Sequence, residues 1–141
     1  MDRKNTDSLF QELMEQSNLD AYLKENQAHF IGTSVPELLD QLYSTKPISK
    51  SALAKRSGIS EVYLHQVFSG RRTPSRDRLL CICVGMGATL EETQRLLLQA
   101  GYGQLYPRNR RDAIIAHGLL NQIDLGQLNE NLFSENEKAL C

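Results

Sequence analysis

The stretch from residue 49 to 74, SKSALAKRSGISEVYLHQVFSGRRTP, constrains the fold more than any other part of the chain. Ser49 is placed to cap a short helix whose inward positions are Leu53 and Ala54. Gly58 supplies the left-handed residue that a tight turn between two crossed helices requires. Ile59 then plugs the angle between the helices, and Ser60 caps a second helix that buries Leu64 and Val67. Ala54 has to be small because the helices cross over it. Leu64 has to point inward, which turns its neighbours outward, as a helix that reads a DNA groove needs.

The formal net charge of −1 hides a segregation of charge. Residues 1–45 carry three basic and eight acidic side chains, a balance of −5. Residues 46–78 carry eight basic side chains against Glu61 and Asp77, a balance of +6, and residues 79–141 return to −2. The segment with the groove-reading pattern is therefore also the strongly basic one. That coincidence favours a polyanion as partner over a face that is merely solvated.

Elsewhere the apolar period is helical and no segment alternates as a strand does, so the expected fold class is all-α. Leu9, Phe10, Leu13 and Met14 form one stripe, and Leu19, Tyr22 and Leu23 another. Ser34 with Glu37 and Pro36 opens a helix through Leu38, Leu39 and Leu42, which Lys46-Pro47 ends. Pro74 breaks the chain after the second crossed helix, and Ser75 caps a helix that Gly85 and Gly87 are expected to terminate. Thr89 and Glu92 form a further capping box, leading to Gly101.

A shift of 35 residues overlays Arg76-Asp77-Arg78-Leu79-Leu80 on Arg111-Asp112-Ala113-Ile114-Ile115, Thr89-Leu90 on Asp124-Leu125, Leu97 on Leu132 and Leu105 on Leu140. This reads as a duplicated helical hairpin, the second copy docked on the first as a two-unit stack. Arg108, Arg110 and Arg111 open the second copy and oppose a helix dipole there, which calls for an anionic partner. An acidic partner within the chain, such as the N-terminal segment, is favoured over DNA.

The residues Leu53-Ala54, Gly58-Ile59-Ser60, Leu64, Val67, Ser69-Gly70, Pro74, Leu79 and the turn from Met86-Gly87 to Glu92 resemble the phage-repressor-like (Cro/CI-type, XRE) helix-turn-helix family. The resemblance covers roughly half of the chain. It implies a lambda-repressor-like five-helix bundle, usually dimeric, that binds operator DNA. The expected organisation is an acidic helical extension over 1–33, the helix-turn-helix domain over 34–103, and a helical hairpin over 104–141 that repeats 76–105. One departure is Phe68, where the family often has an acidic residue; it adds core or places an aromatic at an interface.

By the resemblance, the recognition helix 60–69 lies in the major groove, with Glu61, Val62 and Gln66 at base-reading positions and Tyr63 and His65 nearby. Gln66 suits adenine, Glu61 a cytosine amine and Val62 a thymine methyl. Lys50, Ser60, Ser69, Arg71, Arg72 and Thr73 are the expected phosphate contacts that fix register. The expected function is a sequence-specific transcriptional regulator that binds double-stranded DNA as a homodimer on a palindromic operator. The rival is an antitoxin-like adaptor whose C-terminal hairpin holds a protein partner.

Other classes find little support. No metalloprotease helix, phosphate-cradling loop or nucleophile–histidine spacing is present, so no catalytic residue, cofactor or metal is expected. His29, His65 and His117 lie in three different segments, and Cys81 and Cys83 point about 200° apart on a helix, a packing arrangement rather than a ligand pair. An odd number of cysteines suggests reduced thiols. With no apolar run of about 18 residues and no signal peptide, no membrane contact and a cytoplasmic location are expected.

Overall fold

A computed structural model describes residues 6–15, 18, 19, 21 and 34–141. Residues 1–32 and residues 33–141 form two separate units. Among the described residues there are eight α-helices and no strand.

In the first unit, α1 (Thr6–Glu15) carries the N-terminal stripe. Phe10 and Met14 of that stripe are exposed, at 60% and 83%, and Leu9 is half-buried. Tyr22, Leu23 and His29 lie outside the described residues.

The second unit holds α2 (Val35–Ser44), α3 (Lys50–Arg56), α4 (Glu61–Phe68), α5 (Arg76–Met86), α6 (Leu90–Gln99), α7 (Arg110–Leu120) and α8 (Leu125–Ser134). Each of these helices begins at a side chain that accepts the backbone N–H three residues on: Ser34, Ser49, Ser60, Ser75, Thr89, Asn109 and Asp124. Such a cap satisfies one of the four amides a helix start leaves unpaired, typically stabilising by ~1 kcal/mol. At Thr89 the box is complete, since Glu92 Oε1 also accepts from the Thr89 N–H at 2.9 Å.

Helices α2 to α6 make the five-helix bundle. Its centre is α5, on which Leu79, Leu80, Cys81, Ile82 and Cys83 are five consecutive buried residues. At 100° per residue such a run goes right round the helix, so one covering layer cannot bury it. Two layers do so: α3 packs on one side, and α8 on another. Burial pushes the Cys81 and Cys83 thiols up to about 12, which keeps them protonated and inert as packing groups.

Gly85 does not terminate α5. The helix runs on to Met86, and Gly87, at φ +71°, is its left-handed cap. Gly85 is buried where α5 meets the end of α3, and a Cβ there would lie 2.3 Å from Ser57 Oγ and 2.9 Å from the Ser57 backbone nitrogen. It is a small residue demanded by a close approach of two helices.

Helices α7 and α8 form a hairpin against α6 and α5, and Ile115, Leu128 and Leu132 are wholly buried in the same core as Leu53 and Leu64. Two of the three arginines opposing the α7 dipole meet carboxylates of this same unit rather than of the N-terminal segment. Arg111 meets Asp77 of α5 at 3.0 Å, and Arg110 pairs with Glu135 and, at 3.9 Å, with Glu137.

Candidate nucleic-acid interface

The two crossed helices are α3 and α4, and the turn between them follows the chemistry of its residues. Gly58 takes φ +65°, and the Ile59 N–H closes the turn on the Ala54 carbonyl at 3.1 Å. Ala54 is buried at the crossing and Leu64 and Val67 anchor α4 in the core. The outward face of α4 follows from that anchoring. Glu61, Val62 and His65 are exposed, with Val62 at 69%, while Tyr63 and Gln66 are half-buried.

The other predicted residues surround this face. Ser60 Oγ accepts from the Tyr63 N–H at 3.1 Å, so it caps α4 and its hydroxyl proton stays available to a phosphate. Glu61 faces His65 at 3.6 Å, one helical turn on, which gives its carboxylate a neighbour that neutralises it when protonated. After α4, Gly70 at φ +83° turns the chain, and the Arg71 and Arg72 N–H groups both donate to the Gln66 carbonyl, at 2.9 and 3.1 Å. The loop backbone is thereby folded back on α4 and the side chains of Ser69, Arg71, Arg72 and Thr73 are left exposed.

Lys50, expected at a phosphate, is held against two aromatic rings. Its Nζ lies 4.6 Å from the Phe68 ring centroid and 5.6 Å from that of Tyr43, and the two rings meet edge to face at 5.3 Å. Phe68 therefore completes an aromatic seat that positions the ammonium beside α4. A groove here is lined by Lys50, Val62, His65, Gln66, Phe68, Ser69 and Arg71, together with Glu37 and Asp40 of α2. The groove therefore mixes two carboxylates with the cations Lys50 and Arg71.

Two further residues belong to this surface. Arg78, exposed at the start of α5, lies over the Tyr63 ring with its guanidinium carbon 4.8 Å from the centroid. Tyr63 is thus sandwiched between the core edge and a cation. Tyr102 donates from its hydroxyl to the Pro74 carbonyl at 2.6 Å, pinning the end of the arginine loop to the bundle. Arg78 was visible as charge within 46–78, whereas Tyr102 sits 28 residues downstream of its acceptor and left no local signal.

Two short capped helices set around a left-handed glycine, one face in the core and the other free, define a helix-turn-helix protein. Residues 32–96, a little under half of the chain, match the family model described as a helix-turn-helix domain. No curated protein and no solved structure matches the chain. Among the described residues no group of three or more histidine, cysteine or carboxylate side chains is placed to hold a metal, and no helix is long and apolar enough to cross a membrane.

Proposed function

We propose that this chain is a cytoplasmic, non-enzymatic transcriptional regulator that binds double-stranded DNA sequence-specifically, with α4 in the major groove. The observation that carries this reading is the outward set Glu61, Val62 and Gln66 on a helix whose other face is fixed by wholly buried Leu64. Lys50 on its aromatic seat, Ser60, Ser69, Arg71, Arg72 and Thr73 clamp the backbone on either side. Tyr63 and His65 stand at the edge of the read bases. A homodimer doubles the contacts and sets two half-sites about one helical turn, roughly 34–36 Å, apart. The exposed apolar side chains of α1 supply its contacts.

The experiment is a selection from random duplexes followed by salt titration. Binding to a defined palindromic site that weakens steeply with salt is expected. Gln66→Ala should then relax preference at one base pair, costing about 1–3 kcal/mol there. Equal weakening on every sequence would remove Gln66 from base reading. Absence of any salt-dependent DNA binding would overturn the function. The adaptor reading draws support from Phe133, 81% exposed on α8, and would then be the one to pursue by partner capture.

A further inference from the structure

Between residues 76–105 and 111–140 the contacts repeat under the 35-residue shift. Arg76 donates to the carbonyls of Gly103 and Gln104, at 2.9 and 3.3 Å, and to the Asp112 carboxylate at 3.1 Å. Arg111, its counterpart, donates to the carbonyls of Lys138 and Ala139, at 2.8 and 3.2 Å, and to the Asp77 carboxylate at 3.0 Å. Gln94 Oε1 accepts the Leu105 N–H at 2.7 Å, and Asn129 Oδ1 accepts the Leu140 N–H at 2.8 Å. The left-handed positions recur as well: Gly87 with Gln122, and Gly101 with Asn136. Two non-glycine residues at positive φ, a conformation rare outside glycine, sit at the positions that match glycines in the first copy.

The direction of the cross-contacts decides the symmetry. In a stack of repeats related by translation, one face of the first copy meets a different face of the second, and equivalent residues never exchange partners. In this structure they do exchange: Arg76 with Asp112, and Arg111 with Asp77. Helix packing has the same reciprocity, α5 on α8 and α6 on α7. Such exchange is the mark of an isologous, two-fold contact, so the two copies face each other rather than forming the two-unit stack expected from the repeat.

We infer that residues 111–140 are a second copy of hairpin 76–105, paired with it about a pseudo-two-fold axis, and that this pairing fills in cis a self-complementary surface through which two chains would otherwise join. The charge code supports self-pairing directly. Arg76 and Asp77 of one hairpin complement Asp77 and Arg76 of an identical one, because Asp112 and Arg111 occupy the same positions. The far side of the second copy has diverged to water: the buried Ile82 and Leu96 have His117, exposed, and Asn131, half-buried, as counterparts. The array therefore closes at two.

The test uses the full chain with the second copy's charge order reversed, Arg111→Asp with Asp112→Arg. In cis the reversal sets like against like: a carboxylate at position 111 faces Asp77, and a guanidinium at position 112 faces Arg76. The first hairpin meanwhile keeps its own complementary pair. Sedimentation equilibrium is expected to show twice the mass of the parent chain, whatever assembly the parent forms. Adding Arg76→Asp and Asp77→Arg restores complementarity in cis and should return the parental mass. A first variant that keeps the parental mass, or that unfolds without a discrete doubled species, overturns the self-pairing. Failure of the fourfold variant to revert overturns the two-fold code. Neither readout involves DNA, so the result stands apart from the regulator reading.

Discussion

Gly85→Ala is a substitution that sequence rules recommend and the structure forbids. In a helix interior alanine is better than glycine by about 1 kcal/mol, so α5 alone should gain. Against this, the added methyl would lie 2.3 Å from Ser57 Oγ, 2.9 Å from Ser57 N and 3.1 Å from the Arg56 carbonyl carbon. The hydroxyl can be removed, but the two backbone atoms belong to the end of α3 and cannot rotate away. Overpacking of this kind costs about 1–3 kcal/mol, and a backbone obstacle belongs at the upper end. The net expectation is a loss of about 2 kcal/mol in urea unfolding at unchanged m-value. Adding Ser57→Gly should recover only part of it. Gly87→Ala is the control: it has φ +71° with nothing within 4 Å of a Cβ, so it should lose about 1 kcal/mol from backbone conformation alone, whatever stands at residue 57. A Gly85→Ala chain as stable as the parent would refute the close crossing of α3 and α5, and with it the account of how the first crossed helix is seated.

Three more outcomes are expected. Arg71→Ala with Arg72→Ala should weaken binding on all duplexes alike and reduce the salt slope by about 2, measured by fluorescence anisotropy across ionic strengths; a changed base preference would contradict the phosphate role. Tyr102→Phe removes the hydroxyl that donates to the Pro74 carbonyl, so DNA affinity should fall with unaltered base preference, at a stability cost of about 1 kcal/mol by thermal melting. For Glu92, burial raises the carboxyl's pKa, but the Thr89 N–H and the Lys46 ammonium outweigh it and the net is a value below the ordinary one. Its stabilisation is therefore present above the unfolded carboxylate's pKa and lost as pH falls through the lower folded value. Glu92→Gln should cost up to about 1 kcal/mol at neutral pH, and the gap to the parent should close in acid; a gap that widens there would reverse the sign argued.

Local signals were legible in the sequence, and long-range ones only where an internal copy carried them. The serine and threonine caps and the left-handed Gly58 depend on residues within four positions, so the chain text contains them whole. Gly85 shows the limit: two residues from Gly87, it looks like part of the same stop, and only the approach of Ser57 from another helix distinguishes a packing glycine from a capping one. The seat of Lys50 joins Tyr43 of α2 to Phe68 of α4, which no periodicity of either helix announces. Arg111 lies between these cases. Its need for an anion followed from the dipole it opposes, yet its partner Asp77 was hidden as a minor charge inside a segment of +6. The 35-residue shift makes Arg111 the counterpart of Arg76, but only the two-fold pairing, which places Arg76 beside Asp112, also places Arg111 beside Asp77.

The run Leu79 to Cys83 ties the two crossed helices to the C-terminal hairpin more tightly than their separation in sequence suggests. A helix buried on every side transmits displacement, because close-packed neighbours on one side have nowhere to yield except into those on the other. On α5 those neighbours are α3, which opens the helix-turn-helix, and α8 of the second copy. The second copy also reaches the turn itself: a Cβ at Gly58 would lie 3.4 Å from Leu125 Cδ2 and 3.5 Å from Cys141 Sγ. A chain that lost its cis pairing would therefore uncover one wall of α5 and one flank of the Gly58 turn together. The angle between α3 and α4 is consequently set from both sides, by the bundle and by the hairpin. That makes residues 111–140 part of the scaffold that seats α4, and Lys138, Ala139 and Leu140 line a pocket together with Ser60, Tyr63 and Arg78.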